Sequence, residues 1–189
     1  MSKKIEKNYQ KIMNSFLELL KKEPYNKISI QKIAKESKMT RVNFYKYFTG
    51  KEDLLWKTFL YIFMEVEEEV KKLDSKTLLS NGKPLTFYAF EHVKKNRYFY
   101  KNILENEPPY HFIKNLLDYL TDQSFRTHEV LRLHYNGNIP YIRINEYLAG
   151  ALFHLIIRIV NEEEFDSLEL SNFFTSLALL GLQKFLEKN

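Results

Sequence analysis

The first 48 residues fall into three short helical segments, and this division constrains the fold more than any other feature of the sequence. In the first segment apolar residues recur every three or four positions from Ile5 to Leu20, which predicts one apolar stripe on an amphipathic helix. Pro24 follows the end of that stripe. Ser29 then offers an N-cap oxygen to a second short helix over residues 30–36.

A tight turn over residues 37–39 leads into the third segment. Thr40 is a second N-cap residue, and it opens a helix over residues 40–48 that carries Phe44 and Phe48 on one face. Two short helices joined by a tight turn suit the DNA major groove, because the second helix enters the groove and the first lies across the backbone. The exposed side of this predicted reading helix carries Arg41, Val42, Asn43, Tyr45 and Lys46.

The rest of the chain predicts longer helices. Thr49 and Glu52 have the spacing of a capping box, which begins a helix running to about Leu73. A polar break over residues 72–84 follows, and the remaining helices are predicted over residues 85–107, 110–135, 141–161 and 167–187. No alternating strand pattern occurs in the sequence. The expected fold class is all-α, with a three-helix head over residues 1–50 and a larger helical body over residues 51–189.

Charge is distributed unevenly between these two parts. Residues 1–57 carry 14 Lys and Arg against 6 Asp and Glu, a net charge of +8, whereas the remainder carries 15 basic and 18 acidic residues. A basic head on an acidic body favours a polyanion as the partner of the head, the alternative being a solvated lysine-rich surface. The absence of cysteine, of a signal-like start and of a membrane-length apolar run predicts a cytoplasmic protein.

Lys51 stands in the first turn of its predicted helix, where the amide ends make a cation mildly unfavourable. A DNA phosphate at that helix start would form an ion pair with Lys51 and would also accept hydrogen bonds from the backbone amides of the first turn. The alternative is a freely solvated lysine. We therefore expect Lys51 to contact a phosphate if the head binds DNA.

Several ordered positions resemble the DNA-binding signature of the TetR family. They are Ile28, Ser29, Ile30, Ile33 and Ala34, then Met39, Thr40, Arg41, Phe44, Tyr45, Tyr47 and Phe48, then residues 50–55. The resemblance spans roughly Tyr9 to Leu55. It implies that the DNA-contacting residues include Thr40. The residues that it assigns to phosphates are Ser29, Tyr45, Tyr47 and Lys51. The residues that it assigns to base edges are Gln31, Arg41, Val42, Asn43 and Lys46.

Two positions depart from the family pattern. Lys38 occupies a turn position where a small residue or glycine is usual, so a positive φ there would cost about 1 kcal/mol. Asn43 occupies a position where threonine or a small residue is commoner. The operator sequence therefore cannot be transferred from a relative.

The last two predicted helices are the most apolar part of the chain, and the resemblance implies that they form a four-helix bundle across a two-fold axis. The candidate dimer interface comprises Leu148, Gly150, Phe153, Leu177, Leu180 and Gly181. The alternative is that these helices form the core of one protomer. A two-fold protein is expected to bind a near-palindromic operator.

The body is rich in aromatic residues, and similar regulators bind a small-molecule effector between such helices. The candidate pocket comprises Tyr88, Tyr98, Phe99 and Tyr119, the alternative being ordinary core packing. Residues 90–104 resemble a TetR subgroup that includes activators of dihydroxyacetone-kinase operons. That likeness leaves open a second mode, an activator controlled by a protein partner instead of a repressor released by an effector.

Enzymatic function is not expected, and neither is a cofactor or a metal. The histidines, which are dispersed over the sequence, are His92, His111, His128, His134 and His154. No His-Glu-x-x-His pair, Gly-rich phosphate loop or nucleophile elbow accompanies them. A membrane-binding head is also disfavoured, because the exposed side of the 40–48 helix carries hydrogen-bonding groups.

Overall fold

The computed structural model describes residues 3–73, 82–105, 107–130 and 140–182, and the regular elements within them are all helical. The α-helices are α1 (Lys3–Leu20), α2 (Ile30–Glu36), α3 (Arg41–Tyr45), α4 (Lys51–Lys71), α5 (Leu85–Lys95), α6 (Arg97–Glu105), α7 (Tyr110–Val130), α8 (Tyr141–Ile159) and α9 (Ser167–Leu182), with a 3-10 turn at Tyr25–Lys27. The all-α prediction is confirmed. None of the described helices is long and apolar enough to span a membrane.

The predicted N-caps of the head are both formed. The Ser29 hydroxyl oxygen accepts from the Lys32 N–H at 3.2 Å, and the Thr40 hydroxyl oxygen accepts from the Asn43 N–H at 3.2 Å. Each satisfies an amide that has no partner inside its own helix. Two polar residues at the right positions therefore decide where α2 and α3 begin.

The third helix is shorter than predicted. It ends at Tyr45, and residues 46–47 form a turn in place of the predicted continuation to Phe48. The reason lies in the backbone, because the Tyr47 and Phe48 N–H groups both bond to the carbonyl of Phe44, at 3.0 and 3.1 Å. The tightened turn still places the Phe48 side chain in the core, where it is 1% exposed.

The cap of α4 differs from the predicted capping box. The carboxylate that reaches back belongs to Asp53, which accepts from the Thr49 N–H at 2.8 Å, and Glu52 is exposed. The helix begins at Lys51, so Asp53 is its third residue and Glu52 its second. Asp53 bonds to an amide four residues earlier, one more than the spacing of a capping box, so the predicted pairing of Thr49 with Glu52 is replaced by one with Asp53.

The predicted helix over residues 85–107 is two helices, α5 and α6, which meet at Asn96. The Asn96 carbonyl accepts from the Phe99 N–H at 2.9 Å and the Tyr100 N–H at 3.3 Å, so it opens α6 as an N-terminal residue does. Asparagine is among the residues that favour this position. The prediction of one continuous helix was wrong because apolar periodicity continues across Asn96, where the helix is interrupted.

The described residues form two compact units. The first contains residues 1–64 and 96–113, and the second contains residues 65–95 and 114–189. The predicted boundary at residue 50 separates α3 from α4, whereas the compact units divide within α4. The predicted ends near Tyr135 and Glu187, and most of the predicted break over residues 72–84, lie outside the described residues.

In the second unit, α5 packs against α9, and the hydroxyls of Thr86 and Ser171 lie 2.9 Å apart in that contact. Ile144 and Leu148 of α8 form a small core with Phe174 of α9. These contacts hold three of the regulatory helices of this unit together.

The turn between α2 and α3 has a left-handed residue that is not glycine. Lys38 has a φ of 53°, with its N–H bonded to the Lys35 carbonyl at 3.0 Å, while the Met39 N–H bonds to the Ala34 carbonyl at 2.8 Å. This is the Schellman pattern, which normally uses glycine at the left-handed position. The positive φ anticipated for Lys38 is confirmed.

Replacing Lys38 with glycine should therefore stabilise the protein. We expect Lys38→Gly to raise the free energy of unfolding by about 1 kcal/mol, because it removes the contact between Cβ and the backbone that a left-handed residue suffers. Denaturant unfolding measures this change. Lys38→Ala is the control, since it removes the same charge but keeps the Cβ; equal stability of the two variants would contradict the strain argument.

Candidate nucleic-acid interface

The reading helix α3 is fixed by the burial of one face. Phe44 and Phe48 are 0% and 1% exposed, and their rings lie 5.6 Å apart. Tyr9 of α1 stacks on Phe48 at 4.8 Å. Buried aromatic rings packed in this way leave α3 little freedom to rotate about its axis. The direction of its other face is therefore set by the core.

The opposite face of α3 is open to solvent. Val42 is 70% exposed and Tyr45 is 50% exposed, Arg41 and Lys46 are exposed, and Asn43 is half-buried. The structure thus brings the predicted base-facing residues of α3 together on one short helix. Their contact with bases stays a prediction.

The predicted phosphate-contacting residues occupy different environments. Ser29 is exposed, with its hydroxyl oxygen engaged as a cap. Thr40 of the DNA-contacting set is also exposed and engaged as a cap, and Gln31, which is predicted to face base edges, is exposed as well. The Tyr47 hydroxyl is half-buried and accepts from Asn8 Nδ2 at 3.0 Å, which ties the start of α1 to the end of the reading segment. Tyr45 lies edge-on to Phe44 at 5.4 Å, so its ring packs on the core while half of its surface stays accessible.

Lys51 has partners inside the protein that the sequence did not reveal. Its Nζ donates to the carbonyls of Tyr25 at 2.9 Å and Ile28 at 3.0 Å, and it lies 4.0 Å from the centre of the Tyr25 ring. Burial lowers the pKa of this ammonium, and the neighbouring Glu52 carboxylate opposes that shift. Two of the three N–H donors of the ammonium are thus used within the protein. The phosphate contact of Lys51 remains a prediction, and it now concerns only the third N–H donor.

Ion pairing within the head leaves the reading face positively charged. Three lysines of the head are paired with carboxylates, in the pairs Lys21–Glu18, Lys22–Glu36 and Lys32–Glu23, and Lys57 pairs with Asp53 in α4. Among the residues that the structure describes, Lys38, Arg41 and Lys46 make no ion pair. The acidic residues of the head therefore neutralise other lysines, and the cations on and beside α3 are available to an anion.

A sequence profile described as "Bacterial regulatory proteins, tetR family" matches residues 12–56. These residues run from the middle of α1 into the first turns of α4 and include both helices of the helix-turn-helix. This segment of the chain therefore resembles the TetR family. The resemblance inferred from the sequence is thereby confirmed.

A curated relative of this chain is the uncharacterized HTH-type transcriptional regulator YuxN of Bacillus subtilis (strain 168). The two are 32% identical over 96 residues, which is 51% of this chain and 30% of YuxN. The matched segment thus spans less than a third of the length of that relative.

Solved structures of TetR-family regulators share the fold over nearly the whole chain. A TetR regulator from Streptococcus agalactiae 2603V has a TM-score of 0.67 at 19% identity, covering 93% of this chain and 95% of that one. The dihydroxyacetone kinase operon activator DhaS has a TM-score of 0.60 at 17% identity, with coverages of 95% and 98%. FadR from Bacillus subtilis, solved with stearoyl-CoA, has a TM-score of 0.56 at 20% identity, with coverages of 92% and 98%.

The candidate dimer residues differ in how far they are exposed. Leu148 is 7% exposed and packs within the protomer, while Gly150 and Phe153 are half-buried. Leu177 and Leu180 of α9 are 56% and 67% exposed, and Gly181 is exposed.

An apolar stripe on α9 is longer than the sequence indicated. Phe173, which the sequence did not single out, is 54% exposed, and with Leu177 and Leu180 it has the spacing of one helical face. The pattern of these residues could have revealed the face. Only the packing of the chain reveals that the face is uncovered in one protomer.

The four candidate pocket residues divide between the two compact units. Tyr98 and Phe99 lie in the first unit, and Tyr88 and Tyr119 lie in the second. Phe99 is fully buried against Phe112, as the core alternative supposed. The Tyr119 hydroxyl donates to Glu67 at 2.5 Å, and burial is the main cause that raises its pKa.

Replacing Lys51 with methionine separates its two roles. We expect Lys51→Met to lower the free energy of unfolding by about 2 kcal/mol, because the carbonyls of Tyr25 and Ile28 lose a charged donor. Lys46→Met is the control, since it removes an exposed lysine without an ion pair, and it should change stability little. If Lys51 also contacts a phosphate, the slope of log affinity for DNA against log salt should fall by about one in Lys51→Met. An unchanged slope would contradict the phosphate contact.

Proposed function

We propose that this chain is a dimeric repressor that binds a near-palindromic operator through α3. The observation that carries the proposal is the division of α3 into a buried aromatic face and an exposed face with hydrogen-bonding groups. A helix so short is held by its surroundings, and its exposed side has the chemistry of a base-reading surface. The same proposal places the protein in the cytoplasm with the DNA that it regulates.

The exposed side chains supply three kinds of base contact. Arg41 can donate two hydrogen bonds to guanine, Asn43 can bond to adenine in the same two-point manner, and Val42 can meet a thymine methyl group. Each such pair discriminates between bases by about 1–3 kcal/mol. Lys46 can serve either a base or a phosphate.

Phosphate contacts are proposed for residues at the rim of α3. Ser29, Thr40, Tyr45, Tyr47 and Lys51 lie at the starts of α2 and α4 or around α3, where their polar atoms can meet the backbone of DNA. Such contacts fix the register of the protein on the duplex but carry no base information. Their number sets how steeply affinity falls with salt.

Dimerisation is proposed through α9. The stripe formed by Phe173, Leu177 and Leu180 is apolar and exposed, and a second copy of the same stripe would cover it. A two-fold dimer of heads would meet half-sites about 34–36 Å apart, or a multiple of that distance.

Regulation through a small-molecule effector bound by the body completes the proposal. The fold shared with FadR supports an effector, since that protein was solved with stearoyl-CoA. A second candidate is an activator controlled by a protein partner, which the fold shared with DhaS favours. In vitro transcription from a promoter that bears the operator separates the two, because added regulator lowers transcription in the first case and raises it in the second.

Binding to sheared genomic DNA tests the proposal directly. We expect the wild-type protein to retain a few fragments that contain a near-palindrome, with affinity that weakens steeply as salt rises. Arg41→Ala should lower affinity for those fragments by about 1–3 kcal/mol, or roughly tenfold to a hundredfold, because a two-point base contact is lost. Filter retention followed by sequencing measures both effects.

Arg158→Ala is the control for that experiment, since Arg158 is an exposed arginine of α8 in the second unit. It should bind operator fragments as the wild type does. Retention of no fragment at low salt, or equal losses in Arg41→Ala and Arg158→Ala, would count against α3 as the reading helix.

The dimer surface is tested by charge substitution on α9. We expect the double variant Leu177→Glu, Leu180→Glu to sediment as a monomer where the wild type is a dimer, because four carboxylates would meet across the two-fold axis. Met64→Glu, an exposed apolar position of the first unit, is the control and should remain dimeric. A double variant that stays dimeric would show that copies associate through another surface.

A further inference from the structure

The side chain of Asn102 connects α6 to the end of α1. Its Oδ1 accepts from the Tyr25 N–H at 2.7 Å, and its Nδ2 donates to the carbonyls of Leu20 at 2.7 Å and Glu23 at 2.9 Å. These partners lie 77 to 82 residues away in the sequence. One half-buried amide thus bonds to three backbone groups of one short segment.

This amide acts as a C-terminal cap for α1 supplied from elsewhere in the chain. The last carbonyls of a helix have no partner within it. The Leu19 carbonyl is satisfied locally, by the Lys22 and Glu23 N–H groups at 2.9 and 3.0 Å. Asn102 serves the carbonyls of Leu20 and Glu23 instead, so the path of the chain after α1 depends on where α6 lies.

The same segment is held from its other side by Lys51. Asn102 binds the amide of Tyr25 and Lys51 binds its carbonyl, so the two side chains bond to opposite ends of one residue. The Lys51 ammonium also binds the carbonyl of Ile28, which directly precedes the N-cap residue Ser29. The entrance to the helix-turn-helix is therefore fixed by hydrogen bonds from both α4 and α6.

Apolar packing also holds α6 within the first compact unit. The ring centroids of Phe99 in α6 and Phe112 lie 6.4 Å apart. The Phe112 centroid in turn lies 6.2 Å from that of Trp56 and 6.1 Å from that of Phe59, both in α4. Dispersion between rings tolerates small shifts, whereas a hydrogen bond weakens steeply as its geometry departs from linear. The Asn102 amide adds a directional contact to this packing.

We infer that Asn102 is a positioning residue for operator binding, fixing the entrance of the helix-turn-helix to α6 through Leu20, Glu23 and Tyr25. This inference rests on the proposed function, because it assigns Asn102 a role in DNA binding through the orientation of α2 and α3. A displacement of α6 would move the segment that leads into α2. Asn102 itself touches no base or phosphate in this scheme.

The test compares Asn102→Ala and Asn102→Asp with the wild type, with Asn14→Ala as the matched control. Asn14 is an exposed asparagine of α1, and its replacement removes the same side-chain amide. Aspartate keeps the acceptor for the Tyr25 N–H but sets a carboxylate against two carbonyls, so it should impair the head at least as much as alanine. Hydrogen exchange at the Tyr25 amide, compared with the Leu54 amide within α4, reports the local geometry.

Binding is measured at a temperature where every variant is folded, using the fragment that the wild type retains and a fragment that it does not. In Asn102→Ala we expect faster exchange at Tyr25, unchanged exchange at Leu54, and about tenfold weaker binding to the retained fragment. Binding to the other fragment at low salt should not change, because the cations of α3 remain. Asn14→Ala should match the wild type in all of these measurements.

Two results would overturn the inference. One is an Asn102→Ala protein whose Tyr25 amide exchanges at the wild-type rate. The other is faster exchange with wild-type affinity for the retained fragment, which would give Asn102 a structural role only. Wild-type protein that binds no DNA would instead overturn the proposed function. In that case Tyr25 exchange in Asn102→Ala would still decide whether the amide holds the head, and unchanged exchange would remove that role too.

Discussion

The aromatic contact beneath α3 is the interaction on which the candidate interface depends. Phe48 stacks on Tyr9 and Phe44 packs against Phe48, and the burial of these two rings decides which side chains of α3 remain in solvent. If either ring were exposed, the helix would rotate and present a different set of residues. The exposure of Arg41 and the placement of Asn43, on which the proposed base contacts depend, are thus a consequence of apolar packing on the opposite side of the same helix.

Local features of the head could be predicted from the sequence because their causes are local. Ser29 and Thr40 cap amides three residues away, and the left-handed turn at Lys38 closes bonds within five residues. The apolar stripe of α1 likewise follows from a repeat within one helix. These signals depend on the order of neighbouring residues, which the sequence contains directly.

Features that depend on distant residues could not be predicted in this way. Lys51 binds carbonyls 23 and 26 residues away, and a lysine pattern does not distinguish such a role from a solvated charge. The division of one apolar stretch at Asn96 also depends on tertiary packing, since its periodicity does not change. Spacing along the chain likewise did not reveal that Tyr98 and Tyr119 of the candidate pocket belong to different units, and the pocket itself stays a prediction.

The length of α3 has a consequence for how such a protein loses activity. A helix of five residues is far below the length at which a helix is stable in water, which is about 12–15 residues even for favourable sequences. The recognition surface therefore has no stability of its own and exists only while the surrounding core is intact. Heat-sensitive alleles of this gene should accordingly map to the buried rings beneath α3. A small cavity at those rings would unfold α3 at a lower temperature than the rest of the protein.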